Sequence, residues 1–455
     1  MKALLSLLLL IPSLSWGSNE KSQKYLSNIV SSNQDMRTAS FYSGENLIQW
    51  NLYEVQDINE DGFDDLIFGT YINDKFTGAH SPTEFSKPII FFWSQQNNSY
   101  EVNMDVQEKL PYLHYPRHIM GSKNLITNDV ELFIADTGLD GTHAPNCGGI
   151  NKLITFKKDG SISSISPNDV NDYSHGLASA DLNDDGKMDY LILNSPYITV
   201  KDCDKGKYSN DSVLLISEPT NKYKVQKVNF KYKNFGSKPH YDAGLITEFD
   251  GSFMFIGGRG HGNFKPGIDV FDLNIDGNLT AKQFISAPEI MKNNPSYSIL
   301  VIQDNIKELS ILANVVETGY GWRGRYIQKL DWDGSKFIDV SDNVEQSNPE
   351  KQNDEKCCDW CTTLDFFELD GKDFLSCNSI TPYKLQRPKI YQINEDNITP
   401  VSNTKDSNFS PAFTNSDNRE IHPVVHGDKT YLVGWKNSIY PFVKINLIEL
   451  VEEKP

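Results

Sequence analysis

Residues 55–69 read VQDINEDGFDDLIFG, and residues 178–194 read ASADLNDDGKMDYLILN. Each runs from an apolar strand through an acidic turn into a second apolar strand. Asp57, Asn59, Asp61, Gly62 and Asp65 in the first recur as Asp181, Asn183, Asp185, Gly186 and Asp189 in the second. Two turns of the form Asp-x-Asn-x-Asp-Gly-x-x-Asp mark a repeated unit, and a repeat decides the fold before any other feature.

Outward from these turns, the apolar run that follows them recurs along the chain. It is DLIFG (65–69), ELFIAD (131–136), DYLILN (189–194), FMFIGG (253–258), LSILAN (309–314), KDFLSCN (372–378) and KTYLVGW (429–435), with ends 56 to 67 residues apart. An offset series of hairpins lies between the runs, as in KLITFKKDGSISSIS, IDVFDLNIDGNLTAKQF and YIQKLDWDGSKFIDV. Asp-Gly at their tips tolerates the positive φ of a tight hairpin turn. Each unit therefore holds about four short strands. The chain is predicted to be all-β, a seven-bladed β-propeller of four-stranded antiparallel blades. The hairpins argue against a parallel solenoid. The seventh unit stops after a third strand, YPFVKINLIEL, so a strand from residues 24–46 is expected to supply its outer edge.

The chain opens with MKALLSLLLLIPSLSWG, which has one lysine, an apolar core too short to span a bilayer, and small residues at its end. This reads as a cleavable signal over residues 1–17. An N-terminal segment (18–47) and the propeller (48–455) follow, and the protein is expected in the periplasm or outside the cell. No other run approaches spanning length. The formal charge of −18 disfavours nucleic acid or an anionic membrane as partner.

In the acidic turns, positions 1, 3, 5 and 9 offer side-chain oxygens and position 7 a backbone carbonyl. The candidate ligands are Asp57, Asn59, Asp61, Phe63 and Asp65, and then Asp181, Asn183, Asp185, Lys187 and Asp189. Gly at position 6 permits the sharp turn. Hard oxygen donors at this spacing predict two Ca²⁺ sites. DLNIDGNLT (272–280) ends on Thr280 in the other hairpin series and reads as a plain turn. The corresponding turns NLITNDVELF, EFDGSFMF and ELDGKDFL have lost most ligands and are expected to be metal-free.

The two acidic stretches resemble the repeats of the FG-GAP/VCBS family, which includes bacterial exported proteins and the integrin α head. The resemblance begins near residue 48 and is strongest in the first three repeats. It implies a seven-bladed propeller with calcium in loops on one face and ligand binding on the other.

Six cysteines in an exported chain favour disulfides. Cys147 and Cys203 occupy neighbouring loops, and Cys361 and Cys377 flank one hairpin, so each pair is expected to be bonded. Cys357 and Cys358 can bridge each other, exchange with Cys361, or join a zinc site. The loops opposite the acidic turns, including GGRGHGNFKPG and ETGYGWRGR, offer Arg259, His261, Trp322, Arg323 and Trp435 as a ligand surface for a glycan or an acidic peptide. His118, His175, His240 and His422 stand where the first strands begin. No nucleophile elbow, metal-hydrolase motif or acid/base pair is recognisable. The reading is a calcium-binding interaction or adhesion module for a protein or carbohydrate. The alternative is a polysaccharide lyase or hydrolase on a propeller scaffold.

Overall fold

The computed structural model describes residues 25–35, 47–73, 87–113, 116–136, 149–172, 174–194, 208–209, 212–218, 222–231, 240–260, 265–292, 294–305, 308–318, 323–344, 363–378, 389–394, 397–401, 420–437 and 443–452. Seven sheets follow one another along the chain, numbered here as blades I to VII. Blade I comprises Leu47–Gln56, Asp65–Asn73, Ile89–Ser94 and Ser99–Val102. Its strands pair antiparallel in sequence order, and the same meander recurs in the others.

The innermost strands of blades II to VII begin at Pro116, Ser174, Tyr241, Pro295, Thr363 and Glu420. Blade VII takes only three strands from the C-terminal end. Its outer strand is Tyr25–Asp35, paired antiparallel with Val443–Glu452 from Tyr25 opposite Glu452 to Asp35 opposite Val443. Two sheets carry an additional parallel strand that sequence reading does not find. Tyr208–Ser209 adds to the edge of blade II, and Asn229–Lys231 to the edge of blade IV.

Why the second strands are apolar on both faces becomes clear from where their residues go. Leu66 and Phe68 pack with Val433 and Trp435 of blade VII, whereas Ile67 between them packs with Leu132 and Ile134 of blade II. Phe133 and Ala135 then turn the other way, onto Tyr190 and Ile192 of blade III. The alternation continues around the molecule. Seven apolar clusters each join one pair of adjacent blades: I–II, II–III, III–IV, IV–V, V–VI, VI–VII and VII–I. A strand between two neighbours buries both faces, so its sequence is a continuous apolar run. Because the last cluster returns to blade I, the ring is closed.

Trp435 lies at the seam of that closure, fully buried, with its ring edge-on to Phe68 at 5.4 Å between centroids. Replacing it with Ala should lower unfolding free energy by about 3–5 kcal/mol, the usual range for deleting a buried large aromatic. A loss below about 1 kcal/mol in chemical denaturation would show that blades VII and I are not packed in this way.

Candidate functional site

Both acidic turns join the first two strands of their blades, and their backbones match. Glu60 and Gly62 have φ of 54° and 86°, and Asp184 and Gly186 have 55° and 79°. The internal bonds match as well. Asp61 N–H donates to Asp57 Oδ1 at 3.1 Å and Asn59 Oδ1 at 3.3 Å. Asp185 N–H donates to Asp181 Oδ1 at 3.0 Å and Asn183 Oδ1 at 3.2 Å. In each turn two side-chain oxygens therefore sit beside one N–H, and the side chains supply only oxygen and amide donors. That chemistry fits a hard cation.

Asp65 and Asp189 do more than the spacing suggests. Asp65 is fully buried, and its two oxygens accept from Ile58 N–H and Trp93 N–H, both at 3.0 Å. Asp189 accepts from Leu182 and Ser217 N–H at 2.7 Å each. These carboxylates brace the turn against the third strand. Burial raises Asp65 well above the usual carboxylate range and Asp189 to about 6, although the backbone bonds pull the other way.

Each turn is also stapled to the blade before it. Gly62 O accepts from Gly427 N–H of blade VII at 2.8 Å, and Gly186 O accepts from Leu125 N–H of blade II at 2.8 Å. Asp64 adds a second link across the closure seam, accepting from Val425 N–H at 2.6 Å. Phe63 bridges His426 there, with rings 5.4 Å apart.

The other polar groups gather on the innermost strands. Among the described residues, one set of three His, Cys, Asp or Glu side chains brings ligand atoms within 4.8 Å of one another: His175, His240 and Asp242. His175 Nδ1 lies 2.5 Å and His240 Nε2 3.0 Å from Asp242 Oδ1. Ser296 of blade V donates to Asp242 Oδ2 at 3.1 Å. Burial disfavours the Asp242 charge, but His240 and His175 outweigh it and hold the carboxyl well below its ordinary range. His118 Nε2 is 3.1 Å from the carbonyl of His175, and burial lowers this imidazole to about 4.

Across the axis, a cavity of about 730 Å³ is lined by blades I, V, VI and VII, with Glu54, Asp64, Asp365, Glu368 and His422 as the ionisable groups among its described residues. His422 Nδ1 is 3.0 Å from Asp365 Oδ2, which also accepts from Ser376 Oγ at 3.2 Å. Glu54 accepts from Gly121 N–H at 2.8 Å. Enclosure by surrounding atoms, reinforced by Asp365 and Asp64, raises its carboxyl to about 7 against the pull of two backbone bonds.

The ligand surface expected from the loops is not assembled by the described residues. Arg259 is buried, with Nε and Nη2 each donating to Asp269 at 2.7 Å and Nη1 to Lys265 O at 2.8 Å. It is a tie within blade IV and not a ligand contact. Trp435 belongs to the core between blades VII and I. Arg323 begins a strand opposite Glu317, and its side chain lies outside the described residues. His261 and Trp322 lie outside them too, as do Cys147, Cys203, Cys357, Cys358 and Cys361. Cys377 is buried and disulfide-bonded.

Glu54, Asp242, Ser296 and Asp365 are the site residues that sequence reading misses. Their one signal is a polar side chain on the first strand of a repeat, as in HYDAGLITEFDG and TTLDFFELDG.

No protein family and no curated protein matches the chain. Solved structures of similar shape include an α-L-arabinofuranosidase from Clostridium thermocellum, at 13% identity over 63% of this chain and 95% of that one, with TM-score 0.33. Another is a GH43 β-xylosidase/α-arabinofuranosidase from a compost metagenome in complex with xylotriose, at 10% identity over 64% and 94%, with TM-score 0.37. A third is Trypanosoma rangeli sialidase in complex with sialic acid, at 9% identity over 81% and 58%, with TM-score 0.39. At such scores these likenesses carry no argument about the site, which rests on the geometry above. Among the described residues no helix is long and apolar enough to cross a membrane.

The raised Glu54 carboxyl has a thermodynamic sign. Between about 4.5 and 7 the folded chain holds a proton that the unfolded chain has released, so stability from this group falls as pH rises through that window. Glu54→Gln abolishes the titration. The stability of the variant relative to the parent should therefore increase from pH 5 to pH 8 in paired denaturation curves. A constant difference would mean that Glu54 titrates alike folded and unfolded.

Proposed function

We propose that the protein is an exported β-propeller that takes a neutral carbohydrate into its axial cavity and hydrolyses a glycosidic bond there. The observation that carries this reading is Glu54, raised to about 7 beside Asp365 and Asp64 in a cavity of about 730 Å³. Glycoside hydrolysis needs one carboxyl that stays protonated near neutral pH and another that stays ionised. Glu54 is placed as the acid that protonates the leaving oxygen. Asp365, oriented by His422 and Ser376, is placed as the base or nucleophile. Among the described residues lining the cavity there is no Lys or Arg. Acidic peptides and anionic sugars would therefore meet repulsion, whereas sugar hydroxyls can donate to the carboxylates. The size falls within the usual span of small-ligand sites.

Incubation with a panel of neutral pentose and hexose oligosaccharides should release reducing ends, with activity falling as pH rises through about 7. Glu54→Gln should cut release by about 10²-fold or more while leaving binding near its parent value, since general acid catalysis contributes on that scale. Binding without release by the unaltered protein would favour an interaction module. Neither binding nor release would sink the proposal.

The acidic turns support Ca²⁺ as a stabilising cofactor held by Asp57, Asn59 and Asp61 and by Asp181, Asn183 and Asp185, with Asp65 and Asp189 beneath. Crowded carboxylates repel without a cation, and a ligand of the folded state alone stabilises it by about 2.7 kcal/mol at a hundredfold excess over Kd. Melting temperature should rise with millimolar calcium and fall with chelator. Asp61→Ala and Asp185→Ala together should remove nearly all of the rise. A full calcium response in the double variant would assign the turns a purely structural role.

A further inference from the structure

His175, His240 and Asp242 take no part in the proposed hydrolysis. We infer that they form a site for one divalent first-row transition ion, with zinc the best match, between blades III and IV. Two imidazole nitrogens and a carboxylate oxygen lie within 4.8 Å of one another, and all three residues are buried. Two nitrogens and one oxygen are a donor set that zinc accepts readily, with a fourth position left for water or another group. Calcium prefers all-oxygen sites, so this centre and the acidic turns select different metals.

The surroundings are those of a supported site. Asp242 Oδ2 is held by the Ser296 hydroxyl from blade V, and such bonds orient a ligating carboxylate. His118 from blade II approaches the His175 carbonyl at 3.1 Å. Gly260, whose N–H donates to His240 O at 2.7 Å, comes so close that a Cβ there would lie 2.5 Å from Asp242 Oδ2. Four blades thus converge on one carboxylate and its two imidazoles. The scaffold is rigid, because two of the ligands sit on paired strands and the third directly precedes one.

The present spacings are those of a hydrogen bond, His175 Nδ1 to Asp242 Oδ1 at 2.5 Å, and of an ion-pair contact, His240 Nε2 to the same oxygen at 3.0 Å. Zinc at about 2.0–2.1 Å from each donor requires the ligands to part to a little over 3 Å, which small side-chain rotations supply. Arg117 of blade II is half-buried and acts on His175 as a positive charge, which the Asp242 carboxylate must offset when a cation enters.

The purified chain, stripped with chelator and then dialysed against micromolar zinc, should retain close to one equivalent by elemental analysis. Cobalt in its place should give visible d–d absorption typical of nitrogen and oxygen coordination. Asp242→Asn and His240→Gln should each lose the metal while keeping the parent far-ultraviolet circular dichroism. Asp61→Ala with Asp185→Ala should keep it, which separates this site from the calcium turns, and glycan turnover plays no part in the readout. Failure of the unaltered chain to retain zinc or colour with cobalt would overturn the inference and leave the cluster as a proton-sharing clamp. Retention of a full equivalent by both ligand variants would overturn it as well.

Discussion

The structure depends on one pairing: Tyr25–Asp35 against Val443–Glu452. A propeller blade cannot stand alone, because its second strand is apolar on both faces and needs a neighbour on each side. Blades II to VI find theirs in sequence. Blades I and VII must find each other across nearly the whole chain, and the loop-closure entropy of that meeting is met once. The antiparallel ladder joins the two ends of the chain in one sheet. Trp435 against Phe68, the Asp64 link to Val425 and the Gly62 link to Gly427 then fasten the faces of blades VII and I together.

Closure also makes the axis. Seven first strands facing one another bring together side chains from distant parts of the sequence. Glu54 of blade I meets Asp365 of blade VI and His422 of blade VII around one cavity. His175, His240 and Ser296 of blades III to V meet around the Asp242 carboxylate, with His118 of blade II against the His175 carbonyl. The first set, which joins blade I to blades VI and VII, does not exist in an open array. Burial there raises one carboxyl to about 7, whereas two neighbouring imidazoles outweigh burial and hold another well below its ordinary range.

The fold was legible because its signals are local. Asp57 to Asp65 and Asp181 to Asp189 announced the repeat, and the apolar runs counted its seven copies. The edge additions at Tyr208–Ser209 and Asn229–Lys231 were not legible, being two or three residues long with no turn signal of their own. The site was less legible for a physical reason. Arg259 in GGRGHG looks like a loop cation until Asp269, on the next strand, is seen gripping two of its three guanidinium nitrogens. Trp435 looks like a stacking surface until Phe68 arrives from the opposite end of the chain. The histidines at strand starts were visible, but their partners Asp242 and Asp365 were single acids within strand sequence, assigned only by the packing of neighbouring blades.

Hydrogen exchange on the intact protein tests the closed ring most directly. If the chain ends share a sheet, amides of 25–35 and 443–452 exchange as slowly as those of neighbouring blades, and removing residues 18–35 exposes 443–452 to fast exchange. Free-peptide exchange across 25–35 in the intact chain, with the seven blades still protected, would contradict the account.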